Sequence, residues 1–398
     1  MSSRVPVRVR SLRGLDWLNF FVANVQTGFG PFIAVYLTSR SWTQAQIGIA
    51  LSVGTLTAVA SQLPGGAIVD AMANKRLAAF AASVAIMISA LIFAFLPETL
   101  PVTIAEVLHG LASCLLGPAI AAISLQLVGR GALGARLGRN ARYAAIGSGL
   151  AAALLGATGT YVSEQAVFFL TAALMLPGLL ALETIGPARV TEPGPVETRR
   201  VAVGQALRLL RSRGVLVFAA AVVLFNLSNA AMLPLAAGEV TKRMGSGASL
   251  IIAACIVIPQ AIVAVLSPFA GRAADRWGRR PVLLAGFLAL PVRGVLLGFV
   301  HAPGWLVVVQ SLDGLSAAAF GVMLPLVAAD LTRGTNRFNL CLGALGLAAA
   351  GGATLSTTLV GAVADQFGQL IAFMTLAGAG LLAAFSLLGM RETRPMAG

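Results

Sequence analysis

Mostly apolar windows recur along the whole chain at the length a helix needs, about 20 residues, to cross a hydrocarbon core of about 30 Å. They fall near 15–38, 46–69, 77–97, 101–128, 142–162 and 166–185, then near 214–237, 247–271, 281–300, 304–329, 339–363 and 369–389. The pattern predicts twelve spans in two sixes. The only long polar stretch, Gly186 to Arg213, holds three prolines and six arginines and divides the sixes, as a linker between two bundles should. The predicted organisation is an N-terminal six-helix bundle over 1–185, a linker over 186–213 and a C-terminal six-helix bundle over 214–398.

Composition agrees that the solvent is lipid. Hydrophobic residues make up 58% of the 398, charged residues only 11%, and the mean hydropathy is +0.89, which excludes an ordinary water-facing surface. Cys114, Cys255 and Cys341 all fall inside predicted spans, where they read as small apolar residues and not as a disulfide or metal set. Ser2 to Arg13 is basic, but the apolar run behind it is too long for a cleavable signal, so the first span is expected to stay.

A net charge of +14 could suggest nucleic acid, so the placement of the basic residues has to decide. With the N-terminus in the cytoplasm, 24 of the 28 lysines and arginines fall in inner loops, the linker and the tails; only Arg40, Lys242 and Arg243 fall outside, and Arg293 lies within a span. That bias predicts two cytoplasmic termini in a cytoplasmic (inner) membrane protein and leaves no basic surface for nucleic acid.

The halves align with each other. Gln26, Pro31 and Arg40 correspond to Asn229, Pro234 and Arg243 at an offset of 203; Leu108-His109-Gly110-Leu111 and Gly117 correspond to Leu312-Asp313-Gly314-Leu315 and Gly321 at 204. Gly66 to Asp70 corresponds to Gly271 to Asp275 at 205. Three matches in register indicate a duplication, and six spans per half make the repeats parallel.

On these residues the chain resembles the major facilitator superfamily over essentially its whole length. Gly271-Arg272-Ala273-Ala274-Asp275-Arg276-Trp277-Gly278-Arg279-Arg280 is similar to that superfamily's loop signature, Gly-x-x-x-Asp-Arg-x-Gly-Arg-Arg. The resemblance implies an all-α polytopic membrane protein with twelve transmembrane helices in two pseudo-symmetric bundles, a central cavity and alternating access. The subgroup it suggests is the bacterial efflux-like permeases. Two departures stand out: Ala71 follows Asp70 where the signature has Arg, and Gly147-Ser148-Gly149-Leu150 lacks the proline of the drug/proton antiporter motif. The family arrangement would also set Asp275 near the start of the fifth span, with Arg139 and Arg142, and Asp70 near the start of the eleventh, with Arg333 and Arg337. A carboxylate there would meet a helix dipole and fixed cations, worth about 1 to 2 kcal/mol when partly buried, and would latch a gate formed by Asp70, Gly271, Asp275, Arg276, Gly278, Arg279 and Arg280. The other reading makes these arginines topological anchors.

Ionisable residues within spans cost several kcal/mol unless paired or wet, so each is a candidate for proton coupling. Glu106, His109 and Ser113 share one face of the fourth span, and Gln310 and Asp313 take the matching places in the tenth. His109 and Asp313 each lie roughly 12 to 14 Å in from the outer surface, and Arg293 reaches a similar depth. Arg293 and Asp313 form either a structural ion pair or, with Asp313 facing the cavity, part of a proton relay. His109, an imidazole that ordinarily titrates near ~6.5, is a proton carrier or a packing histidine. Asn19, Asn24, Gln26, Asn226, Asn229, Gln260 and Gln310 are amides that lipid cannot satisfy, so they line the substrate cavity or bind helix to helix. No nucleophile and base set, metal site or cofactor motif is present, which argues against an enzyme. The expected function is a monomeric secondary transporter of a small organic solute, proton-coupled and exporting. The alternatives are uptake of a nutrient or siderophore and, in another class, a membrane sensor.

Overall fold

The computed structural model describes residues 7–28, 30–42, 44–186, 208–209, 211–236, 248–300, 302–335 and 337–394. Among them the regular structure is all helical, with no strand. α1 (Val7–Gly28) and α2 (Gly30–Ser39) share the first predicted span. Pro31, second in α2, has no N–H to continue α1 but suits a first turn, so the helix restarts there. α3 (Gln44–Ala71), α4 (Lys75–Phe95), α5 (Thr99–Val128), α6 (Leu133–Tyr161) and α7 (Glu164–Glu183) complete the first six spans. α8 (Arg213–Asn229), α9 (Ala248–Trp277), α10 (Arg279–Phe299), α11 (Pro303–Leu331), α12 (Phe338–Phe367) and α13 (Gln369–Leu388) make the second set.

Nine helices among the described residues are long and apolar enough to cross a membrane, and α1 with α2, α3 and α6 supply the other predicted spans. The helix ends are set by local chemistry. The Asn74 side chain accepts from the Arg76 amide at the start of α4, and Ser163 accepts from the Ala166 amide at the start of α7. α6 begins nine residues before the span predicted at 142, because its first turns carry Arg136, Arg139 and Asn140, which hydropathy does not read as helix.

The chain divides into two compact units: Met1–Gly129 with Tyr143–Glu197 and Asn336–Gly343, and Arg130–Arg142 with Thr198–Thr335 and Ala344–Gly398. The first turns of α6 thus count with the second unit, and the first turns of α12 with the first. In the first unit α5 packs on α3 and α4, and α7 on α1 and α4; in the second α11 packs on α9 and α10, and α13 on α8 and α10. The pairings correspond helix for helix, so the duplication read in the sequence extends to the packing. Phe168 stacks on Phe93 at 5.3 Å and meets Tyr36 at a tilt at 4.9 Å in the first core, and Phe225 lies parallel to Phe320 at 4.2 Å in the second. Large apolar side chains such as Leu56, Phe95, Leu100, Phe299 and Phe385 stand exposed on the outside, the surface a lipid solvent requires.

Candidate functional site

Three helices of the second unit bring polar groups together within the membrane. The Arg293 Nη1 of α10 donates to Asp313 Oδ1 of α11 at 2.5 Å and to Asn229 Oδ1 at the end of α8 at 2.6 Å. The Arg293 side chain is 1% exposed while that of Asp313 is 24% exposed, so the anion is the more open member of the pair. Arg293 Nε has no partner among the described residues, and neither does the amide of Gln310, one turn before Asp313 and buried. Small residues make the convergence possible. A Cβ on Gly380 of α13 would press on Ser228, Pro291 and Leu290, and one on Gly314 would meet Ile262 and the Pro259 carbonyl. The Ser228 hydroxyl donates to the Leu376 carbonyl at 2.8 Å and fixes α8 on α13.

The corresponding places in the first unit hold different chemistry. Glu106, partner of Gln310 in the repeat, is 4% exposed and faces Gly54 of α3; its Oε1 has no partner among the described residues. His109, partner of Asp313, has its Nε2 3.3 Å from the Ser113 hydroxyl. The structure therefore joins Arg293, Asp313 and Asn229 and keeps Glu106 with His109 on α5. The other amides are dispersed. Asn19 donates to the Leu15 carbonyl at 2.7 Å and Asn226 to the Val222 carbonyl at 2.9 Å, each on its own helix, while Gln260 is half-buried on α9. The side chains of Asn24 and Gln26 lie outside the described residues.

In each unit a carboxylate holds a helix start. Asp275 Oδ2 accepts from the Ala135 amide in the first turn of α6 at 3.0 Å. Asp70 accepts from the Asn339 amide and side chain at 3.0 and 2.8 Å and from the Leu340 amide at 2.7 Å, in the first turn of α12. Free N–H groups and the helix dipole make such starts good partners for a carboxylate. Ala135 and Leu340 are 205 apart, as are Asp70 and Asp275, so both copies have the same register. Gly66 and Gly271 let the backbones meet: a Cβ would fall on the Asn339 carbonyl in one copy and the Gly134 carbonyl in the other.

The cation beside Asp275 is Arg279, at 3.2 Å, and Arg142, expected there, donates instead to the Ala264 carbonyl. Arg139 is exposed on the same helix start. Arg279 is almost wholly buried and also pairs with Asp330 of α11 at 2.9 Å. Gly278 takes φ +104°, a region closed to most side chains, and turns the chain into α10. Arg276 is exposed, and its carbonyl accepts from Arg394, while Arg280 donates to the Leu388 carbonyl. Asp70 lacks an arginine neighbour in its loop; Lys75 fills the place by donating to the carbonyls of Val69, Asp70 and Met72.

Sequence reasoning passed over Asp330, Glu392 and the buried Asp16. The available signal was an isolated acid beside a basic segment. The Glu392 carboxylate accepts from the backbone amides of Arg279, Arg280 and Arg394 at 2.8, 3.1 and 2.9 Å. Burial raises this carboxyl, but the three amides and the charge of Arg279 outweigh it and hold the group below its ordinary 4.5. A lowered value stabilises the fold above the unfolded value and loses that contribution as pH falls through the folded one. Glu392→Gln is therefore expected to melt below the parent at pH 7, with the difference closing as pH is taken below 4.5. Melting curves across that range check it.

Residues 12–375 match the MFS_1 like family. The chain belongs to the major facilitator superfamily of transporters. An uncharacterised MFS-type transporter of Mycobacterium tuberculosis (strain H37Rv) is 36% identical over 405 residues, covering 98% of this chain and 95% of the relative. The multidrug resistance protein 1 of Bacillus subtilis (strain 168) is 33% identical over 139 residues, 35% of each chain. Among solved structures the Escherichia coli fucose:proton symporter aligns with a TM-score of 0.80 at 13% identity, covering 97% of this chain and 99% of that one, a likeness of fold. In this transporter four residues of the signature loop have distinct structural parts: Gly271 in close approach, Asp275 at the helix start, Gly278 in the turn and Arg279 between two carboxylates.

Proposed function

We propose that this transporter moves a small organic solute across the cytoplasmic membrane by alternating access, coupled to protons and in the direction of export. The observation that carries the reading is the Arg293–Asp313–Asn229 cluster, in which a partly exposed carboxylate neutralises a fully buried cation. Protonation of Asp313 would remove the charge that balances Arg293 and leave the guanidinium to another acceptor, which is the exchange a coupled carrier needs. The partial similarity to a multidrug resistance protein supports export of an organic compound. The basic residues of the loops and tails support cytoplasmic termini and a cytoplasmic linker. In this cycle the carboxylate caps at Asp70 and Asp275 act as the latch, released and remade once per turnover. The protein works as a monomer of two six-helix bundles, with the solute, protons and the bilayer as its partners.

Purified protein in liposomes tests the proposal. With a panel of antibiotics and metabolites, an imposed gradient of one pH unit is expected to drive accumulation of at least one solute to about tenfold, the ratio that one proton per solute sustains at about 1.36 kcal/mol. Flux indifferent to the gradient for every transported solute would refute proton coupling.

A further inference from the structure

On the outside of the first unit, at the end where the chain begins, α1 and α7 leave a groove of about 410 Å³. Its lining includes Arg10, Arg13, Trp17 and Phe21 of α1 and Pro177 and Leu180 of α7. The α1 residues follow each other at helical spacing on one face, cations first and aromatics one to three turns deeper. Gly14 seats α1 against Thr184 and Ala181 at the floor, where a Cβ would find no room. Above that contact the groove stays open: Trp17 is 50% exposed and Leu180 63% exposed, while Arg10 and Arg13 are exposed and in no ion pair among the described residues. Glu183, exposed at the end of α7, is not part of the lining.

This order of chemistry runs parallel to a phospholipid. Cations stand where α1 enters the membrane, a tryptophan lies at the interface, and an apolar trough continues inward. We propose that the α1–α7 groove binds an anionic phospholipid, with its phosphate between Arg10 and Arg13 and an acyl chain along Trp17, Phe21 and Leu180. Two cations one turn apart on the same helix face favour an anionic headgroup over a zwitterionic one, and the guanidinium fork suits phosphate oxygens. The groove faces lipid and contains none of the polar residues of the Arg293 cluster, so the assignment stands apart from the transport reading.

Trp17 reports occupancy directly. It is isolated by W42F, W277F and W305F, and the protein is reconstituted in phosphatidylcholine vesicles carrying a minor fraction of a brominated lipid. Brominated phosphatidylglycerol is expected to quench Trp17 with about tenfold preference over brominated phosphatidylcholine, and R10Q/R13Q is expected to remove the preference while R10K/R13K keeps part of it. Equal quenching by the two lipids in the protein with both arginines would overturn the proposal, as would a preference that survives R10Q/R13Q. If inorganic phosphate shifts Trp17 emission and the brominated chains do not quench it, the arginines serve a soluble anion and the lipid assignment falls. Should the single-tryptophan protein not fold, mass spectrometry of phospholipid retained by the purified four-tryptophan protein decides. Phosphatidylglycerol enriched over the bulk supports the site, and retention in bulk proportions overturns it.

Discussion

Asp313→Asn is expected to lower stability by about 3 kcal/mol and to abolish flux driven by a pH gradient. The amide keeps the shape of the protonated acid but leaves Arg293, 1% exposed, without its anion, and an uncompensated buried cation costs about 3 to 5 kcal/mol. The low end applies because Asn229 Oδ1 still accepts from Arg293 Nη1, so the stranded cation keeps one partner. Adding Arg293→Gln removes both charges together and should return most of the stability, a coupling that a double-mutant cycle measures. It should not return gradient-driven flux, since the carboxylate is still absent. Melting temperature, solute exchange and gradient-driven flux in the two single variants and the double variant separate these effects. An Asp313→Asn protein of normal stability and normal driven flux would remove the cluster from the mechanism.

Gly271→Val and Gly66→Val are each expected to cut transport more than tenfold, and by similar factors. A side chain at either position falls on a backbone carbonyl of the helix start that the neighbouring aspartate holds, Gly134 in one copy and Asn339 in the other. A backbone atom cannot move aside as a flexible side chain can, and overpacking of this kind costs about 1 to 3 kcal/mol. The contacts repeat further along: Gly138 abuts the Ser267 carbonyl and Gly343 the Gln62 carbonyl, both pairs again 205 apart. Gly149→Ala, at a position of α6 with open space, is the control and should leave the rate unchanged. Initial rates in liposomes with melting curves on the same preparations check all three. Normal transport by Gly271→Val would mean the helix start need not seat against α9.

What the sequence made legible was whatever lipid forces upon it. Spans of apolar residues were visible because nothing else can sit in hydrocarbon, and Arg293 with Asp313 stood out because charges there are rare. Their partnership with Asn229 was not visible, since an amide among other amides carries no mark of which carbonyl or cation it will face. Asn19 and Asn226 show the difficulty: the same residue type donates to its own helix and joins no cluster. The early start of α6 was missed for a different reason. Its first turns are polar and helical together, and hydropathy reads only the first property. The signature loop identified Asp275, yet its partner proved to be a backbone amide and Arg279, because a helix start supplies donors whatever its side chains are.

The exchange of helix starts between the two units bears on the order in which the protein can be completed. Synthesis runs from the N-terminus, and early segments fold while later ones are still being made. Asp70 emerges with α3, but its nearest acceptor-seeking amide, that of Asn339, is 269 residues further along. Until the ribosome has delivered α12, the first unit holds an open carboxylate and a bare glycine face at Gly66. The second unit, by contrast, finds its borrowed turns at 133–142 already waiting when Asp275 arrives. A chain severed in the 186–213 stretch would give two fragments, each lacking a piece that the other carries, and so each incomplete when made alone.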